Sequence, residues 1–478
     1  LTIQQNKRLN EISIEIRNDF DKLVEEISSD HINNIHWIVG GIASRNKYYS
    51  PLFYRCVQLA FINEIIKENK SYISILSSDK QLCKLLKKQL PKENEIICTQ
   101  GIIKGVWSYF RLYRQYLLAV YFLFMRMLGR KRLTNMGVLK QQPIILIDTF
   151  VLNNKSGDIG SIVNNKYKDR YYPGLLEGLE DKEKQNIYFI PTIVGFKNPI
   201  SIFKKIRKAD FNFLVHDDFL KIRDYLFVLS QPFRISKLKL PKAEFRGYQM
   251  YDILKNEKLR SSSDFISLLG LLYYRFTKRL SLHGVNVKLV VDWHENQVLD
   301  RGMIKGFHTF YPGIPVHGYQ GYIVGKDLHL YTQPSRSEYI GGVVPDKVFV
   351  TGKGLKANIK EFCNEVVVDV APGFRFGKVW REKLYYPNPS FFSILVGLPI
   401  GLDDSKRILS LLLEMNKSFN LSGIKFFIKP HPTWTETKIK SMFSKGELDS
   451  FSFVIGDFHD NLEKSNLVIS NASSVSLE

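Results

Sequence analysis

The sequence predicts an α/β protein of two domains, each built on a parallel sheet. Short Ile/Val-rich runs without polar alternation recur along the chain, as strands covered on both faces should. Helical patterns lie between them, the signature of strand–helix–strand units. A loop-rich break between about residues 352 and 389 then precedes a fresh series of such runs. A chain of 478 residues is long enough for two or three domains, each with its own core.

Taken in order, the first series of expected strands covers residues 36–39, 72–76, 144–147, 187–190, 211–215, 287–291, 314–316 and 347–350. The second covers 391–396, 424–428, 451–454 and 467–469. A helix is expected over 403–416, its first turn capped by Asp403 or Asp404. PDKVFVTGKG closes the first sheet, and APGFRFGKVWREKLYYPNPS reads as loop. The expected division is therefore 1–360, an α/β domain with insertions, and 361–478, a smaller α/β domain. No internal repeat or low-complexity stretch interrupts them. The chain opens on Leu1 and stops at SSVSLE, on what reads as a helix start. A longer parent chain, with the second domain truncated here, is the expectation.

Lys and Arg number 68 against 47 Asp and Glu, a formal charge of +21. Such a field attracts polyanions, anionic lipid or phosphorylated substrates without choosing among them. Four cysteines with no C-x-x-C pair suit neither a disulfide scaffold nor a zinc ribbon and fit a reducing compartment. No run reaches the ~18–20 apolar residues of a membrane span, and the N-terminus lacks an apolar signal segment. A cytoplasmic protein is expected. Residues 101–133 stand apart: an apolar core flanked by Arg111, Arg114, Arg126, Arg130, Lys131 and Arg132. This basic amphipathic insertion suits an interfacial helix whose cations meet anionic lipid, which would place the protein peripherally on the inner face of the plasma membrane. The alternative is a buried helix with a basic exposed end.

Two stretches in the second domain point to phosphate. IKFFIKPHPTWTE runs an apolar strand into Lys429-Pro430-His431-Pro432, where two prolines stiffen the turn and remove two N–H donors. His431 at such a strand end can donate to a phosphate oxygen; otherwise the segment is a structural turn with an ordinary exposed histidine. Some 40 residues on, a short strand leads into Ser470-Asn471-Ala472-Ser473-Ser474. Hydroxyls and backbone N–H groups at a strand-to-helix junction make an anion site, or simply cap the helix.

A strand ending in His-Pro followed by a strand ending in Ser-Ser resembles the nucleotide half of bacterial GT-B glycosyltransferases using CMP-activated acidic sugars, the sialyltransferases and Kdo transferases. The resemblance implies two Rossmann-like domains facing a central cleft. It also implies that His431, Ser473 and Ser474 hold the CMP phosphate, joined by Lys429 and Asn471. DTF (148–150), KDRYYPGL (168–175), ENQVLDRG (295–302), GYQGYIV (318–324) and PGFRF (372–376) further resemble segments of bacterial surface-carbohydrate biosynthesis proteins. The implied activity is inverting, metal-independent transfer of a sialic-acid-like or Kdo-like sugar to a bacterial surface glycan, lipid-linked acceptors included. No cofactor is expected beyond the donor substrate, and no nucleic acid. The nearest alternative is a teichoic-acid-type transferase using CDP-glycerol, which carries a similar KPHP turn.

The acidic pair followed by glycine of the sialyltransferase pattern is absent. The candidate base is Glu295 in KLVVDWHENQ, just past a strongly apolar strand, with Asp292 in reserve and Asp148 third; Glu295 equally suits a helix N-terminal acid stabilised by the dipole. Inverting transfer to a hydroxyl needs one carboxylate near the acceptor oxygen, and Arg301 is expected to keep Glu295 ionised. Arg170, Arg375 and Lys168 are candidate partners for the donor's phosphate and carboxylate, Arg through its planar guanidinium; in a chain this basic they also suit solvated surface charges. Gln320 and Tyr322 are candidates for acceptor hydroxyls. His216-Asp217-Asp218 would suit the metal motif of a GT-A enzyme, but sits far from the phosphate signals. No H-E-x-x-H, P-loop, G-x-S-x-G or G-x-G-x-x-G spacing occurs.

Overall fold

A computed structural model describes residues 2–471 apart from 69–72, 100–101, 132–136, 153–161, 164, 168, 195–197, 263, 324–329, 378–390, 420–422, 432 and 457. Two parallel sheets organise the chain. The first has six strands: β3 (Ile144–Leu152), β4 (Ile187–Val194), β5 (Val287–Trp293), β6 (Val316–Gln320), β7 (Lys347–Val350) and β8 (Val368–Val370). They lie in the order β4-β3-β5-β6-β7-β8, all neighbours parallel. The second comprises β9 (Phe392–Gly397), β10 (Ile424–Lys429), β11 (Ser452–Phe453) and β12 (Leu467–Ser470), ordered β11-β10-β9-β12 and again parallel. A two-stranded sheet of β1 (Ser74–Ser77) and β2 (Glu95–Cys98) belongs to a helical lobe with α1 (Ile3–Glu15), α2 (Arg17–Ser28) and α3 (Leu52–Glu68), which share a core around Phe20, Leu59 and Leu86.

Each large sheet reverses its strand order once, and that reversal places the functional ends. In the first it falls between β3 and β5. Their pairing stops at Ile147↔Val291, while β3 continues alone against β4. Asp148 and Asp292 are therefore the first residues past the point where the two strands part, where open α/β sheets form their ligand crevice. In the second, β9 lies between β10 and β12, so Gly397 is level with both Lys429 and Ser470.

The helices behind the first crevice cross unusually closely. α5 (Phe265–Leu282) meets α6 (Val298–Phe310) through Gly270, Gly302 and Gly306. A Cβ on Gly302 would lie 2.0 Å from the Gly270 carbonyl oxygen. Gly302→Ala is therefore expected to cost about 2 kcal/mol or more through overpacking. Gly354→Ala, where a Cβ meets nothing within 4 Å, is the control. Thermal unfolding of both variants checks this.

Several expectations are corrected. Residues 36–39 are not a strand: Ile35–Ile38 is a helical turn, because the Asn34 side chain accepts the His36 N–H and caps it. Residues 211–215 join β4 only through a single bridge, Phe189↔Phe213. β8 pairs with β7, so the first sheet reaches Val370, past the expected boundary at 360. The insertion forms one helix, α4 (Ile102–Gly129), but Arg126 does not face lipid. It is 1% exposed and bound to Asp217 at 2.6 Å. The His216-Asp217-Asp218 run is thus structural: Asp217 also accepts from Tyr225, and Asp218 from Arg207. No described helix is long and apolar enough to cross a membrane. The expected α/β architecture with two parallel sheets is thus observed.

Candidate active site

Glu295 occupies the turn between β5 and α6. Asn296 takes a left-handed conformation (φ 53°), which an asparagine tolerates better than most residues. Its amide donates to the Tyr331 carbonyl at 2.7 Å and to Glu338 at 2.9 Å. Gln297 then caps α6 with Asp300, whose carboxylate accepts the backbone N–H groups of Glu295 (3.0 Å) and Gln297 (2.8 Å). The carboxylate of Glu295 is itself held from both sides: Trp293 Nε1 donates to Oε1 at 2.9 Å and Gln297 Nε2 to Oε2 at 3.2 Å. It is half-buried, within reach of a substrate and preorganised by neutral donors.

The other acids differ. Asp292 is fully buried, and burial together with the Glu295 charge pushes it up to about 8. At neutral pH it keeps its proton and is shut off from solvent, so it suits the base role poorly. Asp148 is 3% exposed and raised well above the ordinary aspartate range, by burial and then by Asp292 and Asp300. The expected Arg301–Glu295 pairing is not made. The Arg301 guanidinium is 1% exposed and spent on Glu338 (2.5 Å) and on the carbonyls of Ala43 and Ser44.

Asp292, His294 and Asp300 each place a ligand atom within 4.8 Å of the others, the spacing a cation site requires. Asp292 Oδ2 meets His294 Nδ1 at 3.1 Å, and Asp300 Oδ2 accepts two N–H groups. Asp292 Oδ1 and His294 Nε2 have no hydrogen-bond partner among the described residues. Three protein ligands would leave the remaining positions of a divalent ion to water or substrate.

An aromatic box surrounds Trp293. Tyr171, Tyr172 and Tyr319 pack edge-on or tilted at 4.7, 5.6 and 5.7 Å between ring centroids, and Tyr322 stacks at 6.1 Å. Asp169 fixes the turn that delivers the first two by accepting the N–H groups of Tyr171 (2.8 Å) and Tyr172 (3.3 Å). Gln320 is buried at the end of β6, and its side chain interacts with the Tyr322 hydroxyl. Gly321 is required here, since a Cβ would lie 2.5 Å from the Trp293 ring.

The box is where the two domains meet. Burial raises the Tyr171 phenol first and the Glu295 charge adds to it, while Arg375 and Arg170 oppose them. Arg170 also acts on His431 of the second domain. Both expected cations therefore converge on the site, whereas Lys168 lies outside the described residues. Asp404, on α7 (Leu402–Ser418), acts likewise on Lys47 and Tyr48 of the first domain.

His431 sits half-buried just past β10. Burial, aided by the Arg170 cation, pushes it down to about 4, so the ring is neutral at physiological pH. Nδ1 lies 3.3 Å from the Thr433 N–H, which donates to it, and 2.8 Å from the Thr433 hydroxyl. That places the ring proton on Nε2, a single directed donor. Trp434 Nε1 ties the turn to the Ile400 carbonyl at 2.7 Å. The Gly397–Gly401 segment, the first strand-to-helix turn of this domain, thereby joins the site. In the sequence, the G-x-x-x-G spacing of Gly397 and Gly401 is the signal that marks it. Lys429 is partly committed, its Nζ donating to the Gly456 carbonyl at 2.5 Å. Asn471 follows β12 and is exposed; Ser473 and Ser474 lie outside the described residues.

No protein-family model and no curated protein matches the sequence. Among solved structures, the chain is similar to S. aureus MnaA in its co-structure with UDP, at 11% identity and a TM-score of 0.35, over 70% of this chain and 76% of that one. It is also similar to alpha,alpha-trehalose 6-phosphate synthase from Burkholderia multivorans, at 10% identity and a TM-score of 0.34, over 67% and 75%.

Proposed function

We propose that the protein is an inverting glycosyltransferase that moves an acidic sugar from a CMP-activated donor to a surface glycan, without a metal ion. The supporting observation is the convergence of Glu295, Arg375 and Arg170 on Tyr171, with Arg170 also acting on His431 of the second domain. Glu295 takes the proton of the acceptor hydroxyl as that oxygen bonds to the anomeric carbon. The bond from that carbon to the CMP phosphate breaks on the opposite side, and CMP leaves with the electron pair. His431 Nε2–H and the Arg170 guanidinium meet the charge that grows on the phosphate. Ser473 and Ser474, assigned by resemblance, would add hydroxyl donors, and Arg375 would receive the sugar carboxylate.

The reading is tested by thermal unfolding with nucleotides. CMP is expected to raise the midpoint, by an amount set by concentration over Kd, and His431→Ala to abolish the shift. Stabilisation by UDP or GDP but not CMP would overturn the donor assignment. Stronger stabilisation by CDP-glycerol than by CMP would transfer it to the glycerophosphotransferase alternative.

A further inference from the structure

We infer that helix α4 docks the protein on an anionic lipid bilayer and sets a cavity at its inner edge to receive the chain of a lipid-borne acceptor. Phe110, Tyr113, Leu117, Tyr121, Phe124 and Leu128 are each between 47% and 61% exposed. Their spacings of three and four residues align them in one stripe along the helix. From Phe110 to Leu128 the stripe runs about 27 Å at 1.5 Å per residue.

The helix cannot roll to hide this face. On the opposite side Ala119, Leu123 and Arg126 are buried, Arg126 is bound to Asp217, and the Tyr116 hydroxyl donates to the Leu229 carbonyl at 2.8 Å. Mixed tyrosine, phenylalanine and leucine suit the depth where headgroups meet acyl chains. Arg114 and Lys131 are exposed beside the stripe. Their charge chooses the occupant. A second copy packed face to face would set like charges together in a chain of net charge +21, whereas anionic headgroups neutralise them.

A cavity of about 430 Å³ opens at the edge of the stripe; Leu118, Ala119, Phe122 and Phe265 form its apolar side, and Gln115, Arg260 and Asp264 make the rest of its wall polar beside Tyr48 and Tyr49. Its inner wall leads to the candidate base. The Tyr49 hydroxyl donates to Gln297 Oε1 at 3.4 Å, and Gln297 Nε2 donates to Glu295. An apolar chain at the membrane face would thus place its polar head toward Glu295. This second half rests on the glycosyltransferase reading; the docking does not.

Co-sedimentation of the full chain with vesicles is the test. Binding is expected to phosphatidylcholine vesicles carrying about 30% phosphatidylglycerol, to weaken between ~0.1 M and ~0.5 M salt, and to be much lower on phosphatidylcholine alone. Combined Tyr113→Gln, Leu117→Gln and Tyr121→Gln, which leave the charge unchanged, should reduce it at least about tenfold, with a cooperative thermal unfolding transition like that of the wild type as proof of folding. Absent wild-type binding, or equal binding by the triple variant, overturns the docking. A wild-type dimer that the variant dissolves gives the stripe to a second copy and overturns it too. Vesicle binding without any CMP shift would leave the docking standing and remove the donor reading.

Discussion

Glu295→Gln is expected to reduce sugar transfer by about 10²- to 10⁴-fold, the range over which general bases act, while folding and CMP binding persist. The substitution keeps the shape, and its amide oxygen still accepts from Trp293 Nε1; the new NH₂ gives up only the bond from Gln297 Nε2, while Gln297 Oε1 keeps its donors Asn46 and Tyr49. What disappears is the ability to take a proton. Asp292→Asn is the necessary comparison. Because Asp292 is buried and protonated at neutral pH, replacing it with a neutral isostere removes no charge that the reaction uses. Single-turnover rates with EDTA present separate the two. A wild-type rate in Glu295→Gln, or a larger loss in Asp292→Asn, would assign the base elsewhere.

The contrast between those two acids shows what was legible in the sequence. Acids just past a strong apolar strand can be found from the pattern KLVVDWHENQ alone, and so could the strand ends that carry Gln320 and His431. Their ionisation could not. It depends on Asp148 lying beside Asp292 across a strand reversal and on Glu338 arriving from more than 30 residues away to take Arg301. Arg126 failed for the same reason: a cation at the end of an apolar helix reads as surface until Asp217, 91 residues on, buries it. The 36–39 segment shows a local error instead. Its β-branched and aromatic residues favour a strand, but among the described residues no strand pairs with it, and Asn34 caps a turn. The aromatic box is an intermediate case. The tyrosine-rich segments around 171 and 319 stood out, yet only the fold shows that they enclose one indole.

Glu338→Ala should be the most damaging single change outside the cleft, costing about 3–5 kcal/mol, as does removal of one partner from a buried ion network. Glu338 is 6% exposed and faces two buried guanidinium groups, Arg45 at 3.0 Å and Arg301 at 2.5 Å. Alanine would leave two charges in the interior against Asp21 alone, which is bound to Arg45 at 2.8 Å. The same carboxylate accepts from the Asn296 amide, so its loss also frees the turn that holds Glu295. Stability and activity should therefore fall together, whereas Glu295→Gln separates them. Burial alone would raise the Glu338 carboxyl, but Arg301 and Arg45 outweigh it and hold the group below its ordinary value. The stability it contributes is thus full above the ordinary glutamate range and is lost as the pH falls through the depressed value. Wild type should lose this increment on acidification and Glu338→Ala should have none to lose, so their denaturation midpoints should converge at low pH. Parallel curves from pH 7 downward would show that the network does not depend on this charge.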